Sequence, residues 1–213
     1  MSVWRFAPLG EAAWMARCEL PDLALANRFA HALARALEAS PAFEVLLGLR
    51  SVTVRFDPLS IEPESALVAL QRICDQLEPA PEVVGHVHRV PVRYGGEAGP
   101  DLESAAQALG LTPAQLIALH TSQPWRVLML GFAPGFAYLG PLPAVLHLPR
   151  RATPRPRVPA GSIAIAGGLT GIYPSELPGG WHLIGRTELT LFDAHREPPT
   201  WLQPGDAVLF VAL

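Results

Sequence analysis

Apolar and polar positions follow two different periods over the first 95 residues. In residues 22–39, Phe29, Leu33 and Leu37 recur every four positions, which predicts a helix with one apolar face. In residues 51–56, apolar side chains take every second position, which predicts a strand with one buried face. The same reasoning predicts further strands at 13–19, 43–49 and 86–94, and a second helix at 63–77.

The order of these elements is strand, helix, strand, strand, helix, strand. This is the order of a split βαβ unit, so we expect residues 1–95 to form a ferredoxin-like domain. Residues 95–100 read GGEAGP, a composition typical of an exposed, flexible linker. The chain is therefore predicted to divide into residues 1–95 and 96–213.

Proline and glycine interrupt the second half far more often than the first. Twelve prolines lie between Pro134 and Pro204, and short apolar runs stand between them. Two short helices are predicted within 101–120, the second beginning with a capping box over residues 112–115. The clearest predicted strands are 125–130, 162–166, 189–192 and 207–211. Many short strands joined by tight turns favour a β-barrel or sandwich, so the whole chain is expected to be α+β.

Composition excludes several classes of protein. The net charge is −3, without the basic excess of a nucleic-acid-binding surface. No apolar run reaches the roughly 18 residues of a transmembrane helix, and the N-terminus lacks the apolar stretch of a signal peptide. The two cysteines, Cys18 and Cys74, are far apart and belong to no CxxC pair. We therefore expect a cytoplasmic protein with free, buried thiols, and no nucleic-acid or membrane partner.

The chain contains no lysine, and all sixteen of its basic residues are arginine. A Walker A loop requires a lysine on the phosphates, and pyridoxal phosphate and biotin are attached through lysine. This chain alone therefore supplies neither a Walker A site nor a covalently bound cofactor of either kind.

Four segments rich in glycine and proline are candidates for a ligand site. They are residues 131–140, 149–162, 167–174 and 178–187. Glycine allows close approach of the backbone, and successive free N–H groups can hold an anion. Ordinary turns of an all-β domain explain the same composition.

The second of these segments contains four arginines in eight residues. Alternating prolines keep it extended, so Arg155 and Arg157 are predicted to point the same way. Two guanidinium groups held together suit a carboxylate or a phosphate. A solvated charge run or a subunit contact is the alternative.

Histidines supply the other candidate chemistry. His182 and Arg186 lie in the fourth segment and His120 ends a predicted helix, which makes all three candidate catalytic residues. A purely structural role is the alternative for each. His86 and His88 face the same side of a predicted strand, but no third ligand follows at a readable spacing, so no metal site is predicted.

The order of the motifs resembles a known family. They are VRYGGEAGPDL at 92–102, GFAPGFAYLG at 131–140, TPRPRVPAGSIAIAGG at 153–168, TGIYP at 170–174, PGGWHLIGRT at 178–187, LFD at 191–193 and LQPGD at 202–206. This pattern is similar to the B subunits of prokaryotic 5-oxoprolinase, a family also called KipI-like or allophanate hydrolase subunit 1. One departure is Leu169, where the family pattern usually has glutamine.

The resemblance implies a ferredoxin-like domain followed by a cyclophilin-like β-barrel. It also implies that subunits A and C join this chain to open 5-oxoproline to glutamate with ATP and Mg at the level of the complex. A family member that inhibits a sensor histidine kinase, and a carboxyltransferase or allophanate hydrolase role, are the alternatives. The ligand contacts expected from the four segments are Gly135, Phe136, Tyr138, Ser162, Thr170 and Tyr173, together with Arg155 and Arg157.

Overall fold

The computed structural model describes residues 3–38, 40–81 and 85–213. The chain forms two compact units, residues 1–83 and 84–213. Helices and strands occur in both units, which confirms the mixed fold expected from the sequence. The division falls twelve residues before the predicted boundary at 95/96, since the strand that precedes that boundary belongs to the second unit.

The N-terminal unit is a four-stranded antiparallel sheet that packs against two helices. Its elements are β1 (Trp4–Pro8), β2 (Ala13–Cys18), α1 (Leu23–Glu38), β3 (Glu44–Leu47), β4 (Ser51–Arg55) and α2 (Pro63–Asp75). Asp22 begins α1 because its Oδ1 accepts the backbone N–H groups of Ala24 and Leu25. Leu33 and Leu37 lie on the buried face of α1, as their spacing predicted, and the predicted end at Ala39 falls outside the described residues.

One element of the predicted split βαβ order is wrong. The strands of the N-terminal sheet are arranged β1-β2-β4-β3, and the edge beside β2 is occupied by β1, which the sequence reasoning did not predict. The strand predicted at 86–94 lies instead in the second unit, where it pairs with the last strand of the chain. Its apolar and polar alternation was correctly interpreted, but alternation does not specify the pairing partner.

The second unit is a closed β-barrel of seven strands. Its elements are β5 (Val87–Tyr94), α3 (Leu102–Ala108), α4 (Pro113–His120), β6 (Trp125–Leu130), β7 (Ala137–Gly140), a 3₁₀ turn (Ala144–Leu146), β8 (Arg155–Val158), β9 (Ser162–Ala166), β10 (Leu169–Ile172), β11 (Leu177–Gly179), β12 (His182–Arg186) and β13 (Ala207–Ala212). The barrel order is β10-β7-β6-β13-β5-β12-β9, and β8 pairs with β11 as a separate ribbon. The barrel prediction is confirmed, and its likeness to cyclophilin stays a prediction.

Two helices contribute to the barrel core. Thr112 begins α4 with the predicted capping box, because its Oγ1 accepts from the Gln115 N–H and the Gln115 side chain accepts from the Thr112 N–H. Leu102 of α3 and Leu116 of α4 are buried in the apolar cluster of the barrel. These contacts hold the C-terminal end of α4, and with it His120, against the barrel core.

One linker prediction and one strand prediction are wrong. Residues 95–100 are a tight turn of the barrel unit, in which Gly95 N–H bonds to Ile184 and Gly99 N–H bonds to Gly95. Gly99 is buried so closely against the Ile184 carbonyl that a Cβ would collide with it, so this stretch is no flexible linker. The predicted strand at 189–192 is a loop in which only Phe192 makes an isolated bridge, to Thr200.

The free cysteines predicted from the sequence are present as buried thiols at Cys18 and Cys74. Burial raises the pKa of the Cys74 thiol to about 12. In the described part of the chain, no helix is long and apolar enough to cross a bilayer.

Candidate functional site

A cluster of aromatic rings lies against strands β7 and β10 of the barrel. Gly171 of β10 pairs with Tyr138 of β7, and a Cβ at Gly171 would lie 3.1 Å from the Phe136 ring and 3.3 Å from the Trp181 ring. The missing side chain therefore lets Phe136 and Trp181 pack against the strand backbone. The neighbouring residues Thr170 and Ile172 are fully buried in the barrel, as the alternation of a strand requires.

Phe136 is the centre of this aromatic cluster. Its ring centroid lies 5.0 Å from that of Tyr138, 5.2 Å from Tyr173 and 5.8 Å from Trp181, all in edge-to-face geometry. Phe132 completes the cluster at 5.4 Å and is 59% exposed, with a φ of 71°. A bulky residue in the left-handed region is strained, and such strain is concentrated at binding and active sites.

Arginine side chains lie beside these rings. Burial raises the pKa of Tyr138, and the nearby positive charge of Arg150 opposes that rise. Burial likewise raises the pKa of Tyr173, opposed by the charges of Arg150 and Arg155. Arg150 is exposed and Tyr138 is half-buried, so a cation and an aromatic ring are both open to a ligand.

Asp101 binds two of the arginines. Its Oδ1 accepts from Arg155 Nη2 at 2.7 Å and from Arg151 Nη1 at 2.9 Å, and its Oδ2 accepts from the Leu183 N–H at 2.8 Å. The Asp101 side chain is only 6% exposed. Burial raises its pKa, but the hydrogen bonds from Arg155 and Leu183 and the charges of both arginines outweigh burial, so the pKa lies below its ordinary value. The carboxylate is therefore ionised at neutral pH.

Two donors of this network have no acceptor among the described residues. They are Arg151 Nε and Arg155 Nη1, and both atoms are buried. Buried N–H groups are nearly always paired, since leaving one without an acceptor costs about 1–3 kcal/mol. We call the group of Asp101, Arg150, Arg151 and Arg155, together with the aromatic cluster, the arginine–aromatic site.

The structure separates Arg155 from Arg157. Arg157 is 80% exposed and lies 3.7 Å from the Glu176 carboxylate, whereas Arg155 is mostly buried against Asp101. The two guanidinium groups bind different carboxylates, so they do not form the single pair that the extended segment predicted. Arg151 is the arginine that shares a carboxylate with Arg155.

His182 and Arg186 lie at opposite ends of β12. His182 Nε2 is 2.9 Å from the Pro149 carbonyl, so its ring anchors the segment that leads to Arg150. Arg186 donates from Nε to the Ala160 carbonyl and lines a cleft of about 610 Å³. The cleft is formed by residues of β5, the turn at 160–161, the segment 186–190 and Leu213.

His120 has no exposed surface and lies inside the barrel unit. Tyr94 Oη is 2.7 Å from its Nδ1, and Thr170 Oγ1 is 2.9 Å from its Nε2. Thr170 donates its own proton to the Ala164 carbonyl, so it accepts from His120 Nε2–H, and Tyr94 donates to Nδ1. Burial lowers the pKa of His120 to about 3, which keeps the ring neutral. We call the group of His120, Tyr94 and Thr170 the histidine network. Its hydrogen bonds give His120 and Thr170 a structural role.

Two other predicted contacts also have structural explanations. Ser162 is buried and donates from Oγ to the Pro159 carbonyl. Gly135 has a φ of 80°, and a Cβ there would lie 2.8 Å from Phe192 Cβ, so it is required by close packing. Neither residue belongs to the arginine–aromatic site.

His86 and His88 both lie beside Asp206. His88 Nε2 pairs with Asp206 Oδ2 at 3.0 Å, and the other oxygen of Asp206 accepts the backbone N–H of His86. Among the residues that the structure describes, no group of three or more His, Cys, Asp or Glu side chains is arranged to hold a metal ion.

Sequence reasoning selected Arg155, Phe136, Tyr138 and Tyr173 of the site, and omitted others. The sequence around Asp101 is equally typical of an acid, a base or a helix cap, and Arg150, Arg151 and Trp181 are distinguished only as parts of their segments. The contacts of Asp101 span 50 residues to Arg151 and 82 residues to Leu183. No local sequence signal reports partners so distant in the chain.

Known proteins are similar to this chain in sequence and in fold. The family model described as carboxyltransferase domain, subdomain C and D, matches residues 4–202. The 5-oxoprolinase B subunit of Escherichia coli O157:H7 is 43% identical, in a match covering 95% of this chain and 93% of the relative. The 5-oxoprolinase B subunit of Bacillus subtilis (strain 168) is 39% identical, covering 99% and 93% respectively.

The crystal structure of TTHA0988 is similar with a TM-score of 0.80 and 37% identity. The match covers 94% of this chain but only 39% of that one, so this chain spans less than half of TTHA0988. The sequence matches extend over nearly the full length of both proteins and confirm the resemblance inferred from the motifs. The chain belongs to the family of 5-oxoprolinase B subunits, within the carboxyltransferase domain family of subdomains C and D.

Proposed function

We propose that this chain is the B subunit of an ATP-dependent 5-oxoprolinase, which converts 5-oxo-L-proline to L-glutamate together with subunits A and C. The observation that carries the proposal is the 43% identity to a 5-oxoprolinase B subunit over 95% of this chain. Because the relatives are named for the enzyme, we propose this role rather than inhibition of a sensor histidine kinase.

The arginine–aromatic site is suited to binding a small acidic substrate. 5-Oxoproline is a flat lactam ring that carries one carboxylate. The carboxylate matches the guanidinium groups of Arg151 and Arg155, which retain donors beyond those used by Asp101. The ring matches the half-buried face of Tyr138, whose centroid lies 5.8 Å from that of Trp181. His182 supports this site indirectly by anchoring the segment before Arg150.

The reaction adds water across the lactam C–N bond, and an unstrained lactam resists that addition. ATP hydrolysis supplies the free energy, with Mg-bound ATP as a substrate of the three-subunit enzyme rather than of this chain alone. The chain has no lysine and so no Walker A loop. We therefore propose that the chain is inactive alone and that subunits A and C supply the remaining groups. We also propose that the complex is cytoplasmic, as expected from the sequence.

Reconstitution tests this proposal. The chain is purified and mixed with the A and C subunits of its own source, and glutamate release from 5-oxo-L-proline is measured with and without ATP. We expect glutamate only when all three proteins and ATP are present. As a second readout, the gene should restore growth on 5-oxo-L-proline as nitrogen source to a bacterium that lacks its own B subunit.

Two results would contradict the proposal. One is ATP-dependent glutamate formation by the chain alone, which would remove the requirement for partners. The other is an assembled three-subunit complex that binds ATP but releases no glutamate from 5-oxo-L-proline.

A carboxyltransferase role is the second candidate, because the matching family model is described as a carboxyltransferase domain. Such an enzyme receives a carboxyl group from biotin on a separate carrier, since this chain has no lysine to hold biotin. Avidin, which sequesters biotin, distinguishes the two candidates: it should leave 5-oxoprolinase turnover unchanged and abolish a biotin-dependent transfer.

A further inference from the structure

Asp101 occupies an unusual position in the barrel unit. It lies immediately before α3, and its backbone N–H donates to the Leu183 carbonyl while its Oδ2 accepts the Leu183 N–H. These two bonds fix the carboxylate against the start of β12. The remaining oxygen, Oδ1, receives both Arg151 and Arg155. One buried carboxylate therefore joins α3, β12 and the arginine segment.

The carboxylate does not balance the charge of the three arginines of the site. Three guanidinium groups, those of Arg150, Arg151 and Arg155, stand against the single negative charge of Asp101, which leaves two positive charges. Arg151 Nε and Arg155 Nη1 also remain buried without an acceptor in the described chain. A bound oxyanion would supply negative charge, and the Arg151 and Arg155 side chains are 34% and 24% exposed, so part of each is open to it.

We propose that Asp101 is a positioning residue, which holds Arg151 and Arg155 in the arrangement that binds an oxyanion of the ligand. The oxyanion is a carboxylate or a phosphoryl group, since planar guanidinium groups recognise both. The proposal rests on the proposed function only in its choice of 5-oxo-L-proline as one of the ligands tested. Asp101 itself does not contact the ligand.

The direction in which Asp101→Asn changes the affinity for anions tests this proposal. Asp101→Asn removes a negative charge beside an anion site, and if Asp101 only neutralised the arginines, the variant would bind anions more tightly. If Asp101 positions them, the variant binds more weakly despite its added positive charge. We expect the dissociation constant to rise by about tenfold or more, on the scale of a lost charge-assisted hydrogen bond.

Glu176→Gln is the matched control. It makes the same change of charge and also removes a carboxylate from an arginine, but its pair with Arg157 is exposed and 3.7 Å long. We expect its affinity for anions to change by less than about twofold, because exposed ion pairs contribute little. Weakening by both variants to the same extent would overturn the proposal.

Binding is measured by calorimetric titration of the full-length chain with 5-oxo-L-proline, ATP and inorganic phosphate separately. Binding of 5-oxo-L-proline alone identifies a carboxylate site, and binding of ATP or phosphate alone identifies a phosphoryl site; either supports the proposal if Asp101→Asn weakens it. Unchanged or tighter binding by Asp101→Asn overturns the proposal, as does the absence of binding by all three.

A second measurement requires no variant and covers the case in which Asp101→Asn does not fold. In the wild-type chain, the ¹⁵N and ¹H resonances of the Arg151 and Arg155 side chains are followed by NMR during the same titrations. We expect both Nε–H resonances to shift during the titration, along a curve that gives the same dissociation constant as calorimetry. Binding that leaves these resonances unshifted overturns the proposal.

The two proposals fail separately. A complex without 5-oxoprolinase turnover would contradict the proposed function, while anion binding that depends on Asp101 would still stand. Full turnover together with unaltered anion binding in Asp101→Asn would contradict only the positioning role.

Discussion

The barrel unit contains two polar networks with opposite properties. In the histidine network, each ring nitrogen of His120 has one partner, and Thr170 donates its proton to the Ala164 carbonyl. In the arginine–aromatic site, both oxygens of Asp101 accept hydrogen bonds, but Arg151 and Arg155 retain buried donors without an acceptor among the described residues. The first network is complete within the protein and the second is not.

This difference indicates how a buried polar group should be interpreted. A satisfied network contributes to stability and holds elements together, because each broken bond leaves a buried partner unpaired. A network with donors left over is less stable than it could be, and a ligand can supply what is missing. Both networks contain residues that the sequence marked as candidates, and only their hydrogen-bond partners separate the two roles.

The largest effect should follow from breaking the histidine network. His120→Ala removes the acceptor of Tyr94, the donor to Thr170 and a ring stacked 4.3 Å from Phe210. We expect a loss of about 3–5 kcal/mol in the free energy of unfolding, as for other large buried side chains replaced by alanine. Urea denaturation of the isolated chain measures it.

Tyr94→Phe is the control for this prediction, since it removes one hydroxyl and keeps the ring. We expect it to cost only about 1–2 kcal/mol, the range for one buried hydrogen bond. Equal stability of His120→Ala and the wild type would show that the network does not hold the barrel together.

The pH dependence of stability sharpens the contrast. The pKa of His120 is about 3 in the folded protein, below its value of about 6.5 when unfolded. Between these values the unfolded chain binds a proton and the folded chain does not, so stability is full above pH 6.5 and falls as the pH decreases toward 3. The slope from this group is at most about 1.4 kcal/mol per pH unit.

The lowered pKa of Asp101 affects the free energy of unfolding over a lower pH range. Its contribution is present above its unfolded pKa of about 3.9 and is lost only as the pH falls through the folded value. Of these two groups, His120 is therefore the one that changes between pH 4 and 6.5. The slope of the unfolding free energy against pH in this range should decrease in His120→Gln, and an unchanged slope would contradict the assignment.

Arg155→Lys should separate binding from stability. Lysine keeps the positive charge but loses the planar fork that can bind Asp101 and an oxyanion together. In the three-subunit complex we expect kcat/KM for 5-oxo-L-proline to fall by about 30- to 150-fold, equivalent to roughly 2–3 kcal/mol. Assembly of the complex is measured on the same sample, because normal turnover per assembled complex would identify a subunit contact instead.

The smallest effect is expected at Arg157. It lies two residues beyond Arg155 but is mostly exposed, with a long contact to Glu176. Arg157→Lys should change kcat/KM by less than about twofold, as for other solvated ion pairs. A loss as large as that of Arg155→Lys would restore the arginine pair that the sequence predicted.

The sequence predicted those features that depend on nearby residues. The apolar faces of α1 and α2, the capping box at Thr112 and the strand at 162–166 follow from periods and caps within a few positions, and all are present. The motif order identified the family and with it the barrel, while the density of glycine and proline indicated a barrel or a sandwich. Local patterns suffice for these features because helices, turns and strands form through contacts of short range.

Only the tertiary structure decided which segments meet. The strand at 87–94 joined the barrel rather than the N-terminal sheet because strand pairing connects residues far apart in sequence. The same reason governs the site: an ordinary-looking aspartate became the anchor of two arginines 50 and 54 residues away. Conversely, His120 was withdrawn from solvent into a satisfied network. Charge and residue type are written in the sequence, but burial and the choice of partner arise only when the chain has folded.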